Sequence, residues 1–203
     1  NVAARNAQDG ISVIQTAEGA LTEVHSILQR VRDLAVQAGS DSNNADSRTA
    51  IKTEIDSLGK ELTRVAASTN FNGIKLLDSA STLTFQVGAG SDADEDQIAV
   101  TLTDFSGLGA RIEALTVTDA AAALTTIAAL DTEIKGVSTA RAGLGAVQNR
   151  FESTINSLQV SAENLAAAKS RIADTDMAAE MVKYTASNIP VSYTHLTLPT
   201  TPY

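Results

Sequence analysis

Three aspartates at alternate positions are the first candidates for chemistry, because carboxylates at this spacing can ligate Ca²⁺. Asp92, Asp94 and Asp96 lie in a run of glycine and acidic residues that starts at Gly88. A calcium loop of the EF-hand type also needs a glycine directly after its third ligand and a glutamate at its last position. Neither residue is in register here, so the run is predicted to be a solvated loop with an acidic tip.

Histidine and cysteine, the usual zinc ligands and partners of a nucleophile, are scarce. The chain has two histidines, His25 and His195, in unrelated segments, and it has no cysteine. Neither a paired zinc-ligand spacing nor a serine-histidine-aspartate triad can be assembled from them. The Gly-x-Gly pairs lack the lysine and the third glycine of nucleotide-binding loops. The sequence therefore predicts no catalytic residue, no metal, no cofactor and no enzyme activity.

A protein-binding patch is the remaining kind of site, and one helical segment offers it. Arg30, Asp33, Leu34 and Gln37 are related by steps of three and four residues, so a helix carries them as neighbours. The simplest interpretation of such a patch is a solvated helix face. Leu34 favours a binding role, because an aliphatic side chain among charged ones can anchor a contact with another protein. From the residues alone, both interpretations stay open.

The composition narrows the class of protein that carries this patch. Hydrophobic residues make up 43% of the chain but aromatic residues only 3%, which suits long bundled helices. The net charge of −9 argues against nucleic acid as a partner, since phosphate binding needs clustered lysine and arginine. No run of about 18 apolar residues is present, so membrane insertion is not expected. The first residues resemble neither a signal peptide nor a natural start, and we expect that an amino-terminal segment is missing.

Three long helices are predicted to position these residues. The first covers residues 1–38, where two rows of apolar residues repeat every seven positions and form the seam of a coiled coil. A second helix is expected at 46–69 and a third at 120–185, with a hairpin region at 70–118. Within that region, residues 83–87 and 98–102 alternate between apolar and polar types and are predicted to be strands. In the third helix the seam row is Val137, Leu144, Phe151, Leu158, Leu165 and Ile172. The predicted fold class is mainly α, an elongated antiparallel helical bundle or coiled-coil rod with a small β-hairpin region.

The chain closely resembles bacterial flagellin in several ordered blocks. They are RNAQDGIS at residues 5–12, QTAEGAL at 15–21, LQRVRDLAVQ at 28–37, FNG at 71–73, LGAVQNRF at 144–151 and SRIADTD at 170–176. The resemblance covers residues 1–189, which it identifies as a flagellin rod domain. Only about residues 103–119 occupy the place where many relatives carry large variable domains.

The resemblance implies a structural subunit of the flagellar filament, which acts in motility outside the cell. The partners that it implies are other flagellin subunits in a homopolymer and, for the intact protein, the flagellar export apparatus and its chaperone. Export of that kind uses no cleaved signal peptide. A flagellar hook–filament junction protein is the alternative, since it shares the terminal helices but usually lacks the full block at 28–37.

The resemblance also implies a partner for the polar patch. The rod of the family is recognised by Toll-like receptor 5 through an arginine, a leucine and a glutamate from the next helix. At the matching positions these are Arg30, Leu34 and Glu54, with Gln29, Asp33 and Gln37 beside them. Asp33 replaces the glutamate that the family more often has there.

The last residues depart from the family pattern. Residues 190–203 bear no relation to the alanine- and leucine-rich end of the family, and we expect them to be a disordered, foreign tail. Pro190 is predicted to end the preceding helix. In the family the two missing ends form the inner tube of the filament and the chaperone site. The polypeptide as written is therefore expected to polymerise poorly and to bind the export chaperone poorly.

Overall fold

A computed structural model describes residues 2–174 and 176–196, with side chains up to residue 187. The predicted class, mainly α with a small hairpin region, is confirmed. The chain divides into two compact units, residues 1–159 and 160–203. In chain order the elements are α1 (Val2–Ala38), α2 (Ala45–Ser68), β1 (Asn70–Phe71), β2 (Ile74–Lys75), β3 (Thr82–Gln86), α3 (Ala93–Asp96), β4 (Gln97–Thr101), α4 (Leu108–Glu113), α5 (Ala120–Ala173) and α6 (Met177–Leu196).

Helix α1 buries both of its heptad rows. The rows are Ile14, Leu21, Leu28 and Ala35, and Ala17, Val24, Val31 and Ala38, and all eight residues are buried. The alanines and leucines of these rows favour the helical conformation, and the seven-residue spacing gathers all eight residues on one side. The helix packs against α2, β1 and β3, so its apolar side holds the first unit together.

A short polar loop reverses the chain between α1 and α2. The side chain of Asn44 accepts a hydrogen bond from Ser47 N at 2.8 Å and so caps α2. From the first turns of α2, Arg48 Nε donates to the carbonyl of Ala38 at 2.9 Å, which satisfies an open acceptor at the end of α1. Both ends at this corner are thereby fixed, and α2 runs back along α1.

Two hairpins follow α2. Strands β1 and β2 pair antiparallel through a two-residue loop, in which Asn72 and Gly73 have φ angles of 49° and 82°. Strands β3 and β4 pair antiparallel with Thr82 opposite Thr101, close to the predicted strands at 83–87 and 98–102. The acidic run between them includes the single-turn helix α3, whose side-chain cap is Asp92. No group of three or more potential metal ligands is found among the described residues.

Helix α5 closes the core of the first unit. Its predicted seam residues Val137, Leu144 and Phe151 are buried. The Phe151 ring meets Phe85 of β3 edge to face, with centroids 5.6 Å apart. Between β4 and α5, the short α4 packs against α2, and Lys52 Nζ donates to the carbonyl of Glu113 at the end of α4.

The second unit contains the last part of α5, from Val160, and α6. The seam prediction is wrong here, because Leu165 is 71% and Ile172 is 87% exposed. Heptad spacing places these residues on one side of the helix, but burial also requires a partner surface, and none covers them in the described part of the chain. None of the described helices is long and apolar enough to cross a membrane.

The predicted helix at 120–185 is two helices. Helix α5 ends at Ala173 and α6 begins at Met177, with Asp176 accepting hydrogen bonds from the backbone of Ala178 and Ala179 as the cap of α6. Pro190 does not end the helix as predicted, since α6 continues to Leu196. Inside a helix, proline removes one backbone hydrogen bond and can bend the helix without ending it. Of the predicted disordered tail, residues 197–203 lie outside the described residues.

Candidate functional site

The candidate site lies where α1 and α2 run antiparallel. Ala38 contacts Arg48 at the corner, and eight residues earlier on α1, Arg30 contacts Glu54 on α2. The two helices pack side by side, so side chains at the same level along their axes meet. Residues that are far apart in sequence become neighbours in this way. The structure thus brings Glu54 to the predicted patch on α1.

Arg30 and Glu54 form an ion pair across the two helices. Arg30 Nε and Nη2 both donate to Glu54 Oε1, at 3.0 and 2.7 Å. The side chains are 58% and 45% exposed. An exposed pair of this kind contributes little to stability, on the order of 0–1 kcal/mol. In the described part of the chain, Arg30 Nη1 and Glu54 Oε2 make no hydrogen bond, so a donor and an acceptor remain directed to solvent.

The other polar residues of the patch are exposed on α1. Gln29 Nε2 lies 2.9 Å from His25 Nε2, one turn earlier. Asp33 and Gln37 continue the stripe toward the end of the helix, and the carbonyl of Gln37 accepts from Asn43 Nδ2 at 2.7 Å. We call Gln29, Arg30, Asp33, Gln37 and Glu54 the α1–α2 polar face. It offers one paired cation, two acids and two amides to a partner.

Leu34 does not belong to this face, contrary to the sequence-based expectation. Its side chain is 2% exposed and lies in the hydrophobic core. It belongs to a third row at seven-residue spacing, with Val13, Ala20 and Ile27, and this row is buried or partly buried. A two-row seam serves one partner helix, whereas α1 packs against several elements and buries a wider stripe. Leu34 therefore supports the face from beneath.

A second charged contact, which the sequence did not reveal, fixes α1 next to the polar face. Arg32 Nε donates to Asp131 Oδ1 of α5 at 2.7 Å. This hydrogen bond, reinforced by the Asp131 charge, raises the pKa of Arg32 above its usual value. The two residues are 99 positions apart in sequence, and no local spacing could have indicated the pair. The two arginines thus have different partners, since Arg30 contacts α2 and Arg32 contacts α5.

His25 lies on α1 one turn before Gln29. It is half-buried, and its Nδ1 atom is buried without a hydrogen-bond partner among the described residues. The ring contacts the side-chain amide of Gln29, and an amide is neither an acid nor a nucleophile for catalysis. The geometry around it agrees with a packing role in α1.

Sequence comparison places the chain among known proteins. Residues 1–82 match the family model for the bacterial flagellin N-terminal helical region, and residues 127–196 match that for the bacterial flagellin C-terminal helical region. The second match extends past Pro190, where the sequence had suggested a foreign tail. Both helical parts of the chain are covered.

Individual relatives agree with the family models. A flagellin of Halalkalibacterium halodurans is 47% identical, over 92% of this chain and 69% of that protein. A flagellin of Bacillus subtilis is 44% identical, over 93% and 72%. The flagellar filament 33 kDa core protein of Treponema phagedenis is 39% identical, over 94% and 72%.

A solved structure gives the same result for the fold. The crystal structure of Bacillus cereus flagellin superposes with a TM-score of 0.67 at 34% identity, over 81% of this chain and 94% of that one. Sequence and fold agree over most of both chains. The chain therefore belongs to the bacterial flagellin family, the structural proteins of the flagellar filament.

Proposed function

We propose that the chain serves as a filament subunit in the bacterial flagellum outside the cell, and that its α1–α2 polar face is a recognition surface for Toll-like receptor 5. The first role rests on the family and on relatives named as flagellins and filament core proteins. The second rests on one observation, the exposed Arg30–Glu54 pair that joins α1 to α2. Export through the flagellar apparatus with a chaperone, before assembly with other subunits, is part of the first proposal.

The Arg30–Glu54 pair supports recognition because it is ordered yet weakly held. Glu54 Oε1 fixes two nitrogens of the guanidinium, so a receptor meets a preorganised donor and acceptor and spends less conformational entropy on binding. Arginine is among the residues that most often dominate the energy of protein interfaces. Since breaking the internal pair costs on the order of 0–1 kcal/mol, a receptor can also replace it with its own charges.

Substitution of the pair tests the recognition proposal. We expect Arg30→Ala to weaken activation of cells carrying Toll-like receptor 5 by about tenfold or more, a loss of about 1.4 kcal/mol or above. Glu54→Ala is expected to act in the same direction. Circular dichroism should show unchanged helicity, because both side chains are largely exposed.

The chain contains a matched control. Arg64 and Glu61 form another exposed arginine–glutamate pair, at i and i+3 positions within α2. We expect Arg64→Ala to leave activation unchanged. The double variant Arg30→Glu with Glu54→Arg keeps an internal pair but reverses its direction. We expect it to activate the receptor as weakly as Arg30→Ala does. Full activation by the folded Arg30→Ala variant would refute the recognition surface.

Gene deletion tests the filament role against the junction-protein alternative. Electron microscopy of cells that lack the intact gene should show hooks without filaments if the protein is the filament subunit. In that case no unpolymerised flagellin should accumulate in the medium. Bare hooks with excreted, unpolymerised flagellin would instead favour a hook–filament junction protein.

A further inference from the structure

The loop of the first hairpin carries an asparagine followed by glycine in an open position. Asn72 and Gly73 are both exposed and both have positive φ angles. A Cβ atom built on Gly73 would meet nothing within 4 Å. The side-chain amide of Asn72 makes no hydrogen bond in the part of the chain that is described. Among the described residues, none therefore holds the Asn72 side chain or crowds the neighbouring Gly73.

We propose that Asn72 is a site of spontaneous deamidation and isoaspartate formation in the folded chain. This inference is independent of the filament and receptor roles. The backbone nitrogen of Gly73 attacks Cγ of Asn72, a new N–C bond closes a succinimide ring, and the C–N bond of the amide breaks to release ammonia. The proton of the Gly73 amide leaves with the ammonia. Water then opens the ring at either carbonyl, which yields aspartate or isoaspartate.

The sequence of the loop favours this step at Gly73. The attacking nitrogen belongs to the residue after the asparagine, and a side chain on that residue would crowd the nitrogen. Glycine has no Cβ, so the backbone can approach closely. Among the asparagines of the chain, Asn72 alone is followed by glycine. The others therefore serve as internal controls.

The hairpin allows the rotation that the attack requires. Strands β1 and β2 have only two residues each, with Asn70 opposite Lys75 and Phe71 opposite Ile74. A two-stranded ladder of this length is marginal in water and opens locally without unfolding the rest of the protein. The loop can therefore leave its left-handed conformation while Leu76 and Leu77, which are buried, keep the following segment in the core.

The two products should affect the hairpin differently. Aspartate tolerates a positive φ nearly as well as asparagine, so it retains the turn and adds one negative charge. Isoaspartate places an extra methylene in the backbone, which no longer fits a two-residue loop and opposes the pairing of Phe71 with Ile74. Only the second product should disturb the ladder.

Peptide mass spectrometry of the full folded chain tests the proposal. After incubation in mildly alkaline buffer at 37 °C, the Asn72 peptide should gain about 1 Da at least about tenfold faster than the Asn70 or Asn156 sites, a barrier lower by about 1.4 kcal/mol. Protein isoaspartyl methyltransferase with labelled S-adenosylmethionine should label the same peptide. The Asn72→Gly variant keeps the turn and should acquire no label there.

Three outcomes would overturn the proposal. The first is an Asn72 site that stays intact in the folded chain but deamidates in urea, which would show that the turn protects it. The second is a rate equal to that of Asn70 and Asn156. The third is a mass gain without isoaspartate, because ring opening of a succinimide yields both products. The Asn72→Asp variant is the reference for the aspartate product. Its β1–β2 amides should exchange with solvent at the same rate as those of the unchanged chain.

Discussion

At the scale of single residues, Leu34 shows how one side chain can support a surface without being part of it. Arg30 and Glu54 are exposed, whereas Leu34 is enclosed beneath them. An exposed leucine would act through a partner, but an enclosed one acts through the position of the helix that carries it. A substitution of Leu34 should therefore change binding only through its effect on folding.

Replacement of Leu34 by alanine should destabilise the fold. We expect Leu34→Ala to lower the free energy of unfolding by about 2–5 kcal/mol, since it removes buried methyl groups and leaves a cavity. Urea unfolding followed by circular dichroism measures this value. Gln37→Ala, one turn later on the exposed side, should change stability by no more than about 0.5 kcal/mol. An equally small effect of Leu34→Ala would contradict the buried position.

The sequence could identify the residues of the polar face but not their depth. Spacing alone relates Arg30, Asp33 and Gln37, and the structure finds all three exposed. The burial of Leu34 depends on how many elements surround α1. The partner of Arg30 depends on which turn of α2 lies beside it. Both are set by contacts between distant segments. Glu54 was placed at the site only by resemblance to a family.

At the scale of elements, α1 and α5 meet at a glycine. The Phe151 ring lies against Gly10 so closely that an added Cβ would come within 2.6 Å of Cζ. The same ring meets Phe85 of β3. One aromatic side chain from α5 thus joins α1 to the second hairpin, and the absence of a side chain at position 10 makes room for it.

Two glycines in the same helix should respond to alanine in opposite directions. Gly10→Ala should destabilise the protein by about 1–3 kcal/mol, because the new methyl group displaces the Phe151 ring. Gly19→Ala, where an added Cβ meets nothing within 4 Å, should stabilise it by up to about 1 kcal/mol through helix propensity. Thermal unfolding of both variants measures the difference. Equal shifts of the two would contradict the contact at Gly10.

The elements themselves follow largely from local sequence. Heptad rows indicate α1, and alternation of apolar and polar residues indicates β3 and β4. The end of α5 at Ala173 and the start of α6 at Met177 differ from the predicted single helix, because the new start depends on the capping side chain of Asp176 within an otherwise helical pattern. The extension of α6 past Pro190 was not predicted, because the local sequence does not show whether a proline bends a helix or ends it.

At the scale of the whole molecule, the two units differ in how they use apolar residues. In the first unit, residues 1–159, the heptad positions up to Phe151 lie in a common core, whereas Leu158 is half-buried and outside it. Among the described side chains of the second unit, the large apolar ones that are exposed are Val160, Leu165, Ile172, Met177, Met181, Val182 and Tyr184. Sequence periodicity is the same in both parts of α5, so it predicts which side of the helix is apolar without predicting whether that side is covered.

Stability should therefore be concentrated in the first unit. We expect Leu144→Ala to cost about 2–5 kcal/mol, whereas Leu165→Ala, three heptads later, should change the free energy of unfolding by no more than about 0.5 kcal/mol. Urea unfolding of the monomeric chain measures both. Backbone amides of residues 160–173 should also exchange with solvent faster than those of residues 137–151. Comparable costs at the two positions would contradict the exposed state of Leu165.

The recognition proposed for Arg30 and Glu54 would depend on the conformation of the chain. The two side chains are 24 positions apart and meet only when α1 and α2 are docked. A ligand that engages both residues must select the docked state, so its apparent affinity falls in proportion to the fraction of chains in that state. By linkage, the same ligand raises the melting temperature of the chain. A receptor that needs both residues would bind only a chain that is intact between α1 and α2. After cleavage of the loop that joins the two helices, neither fragment alone would contain both residues.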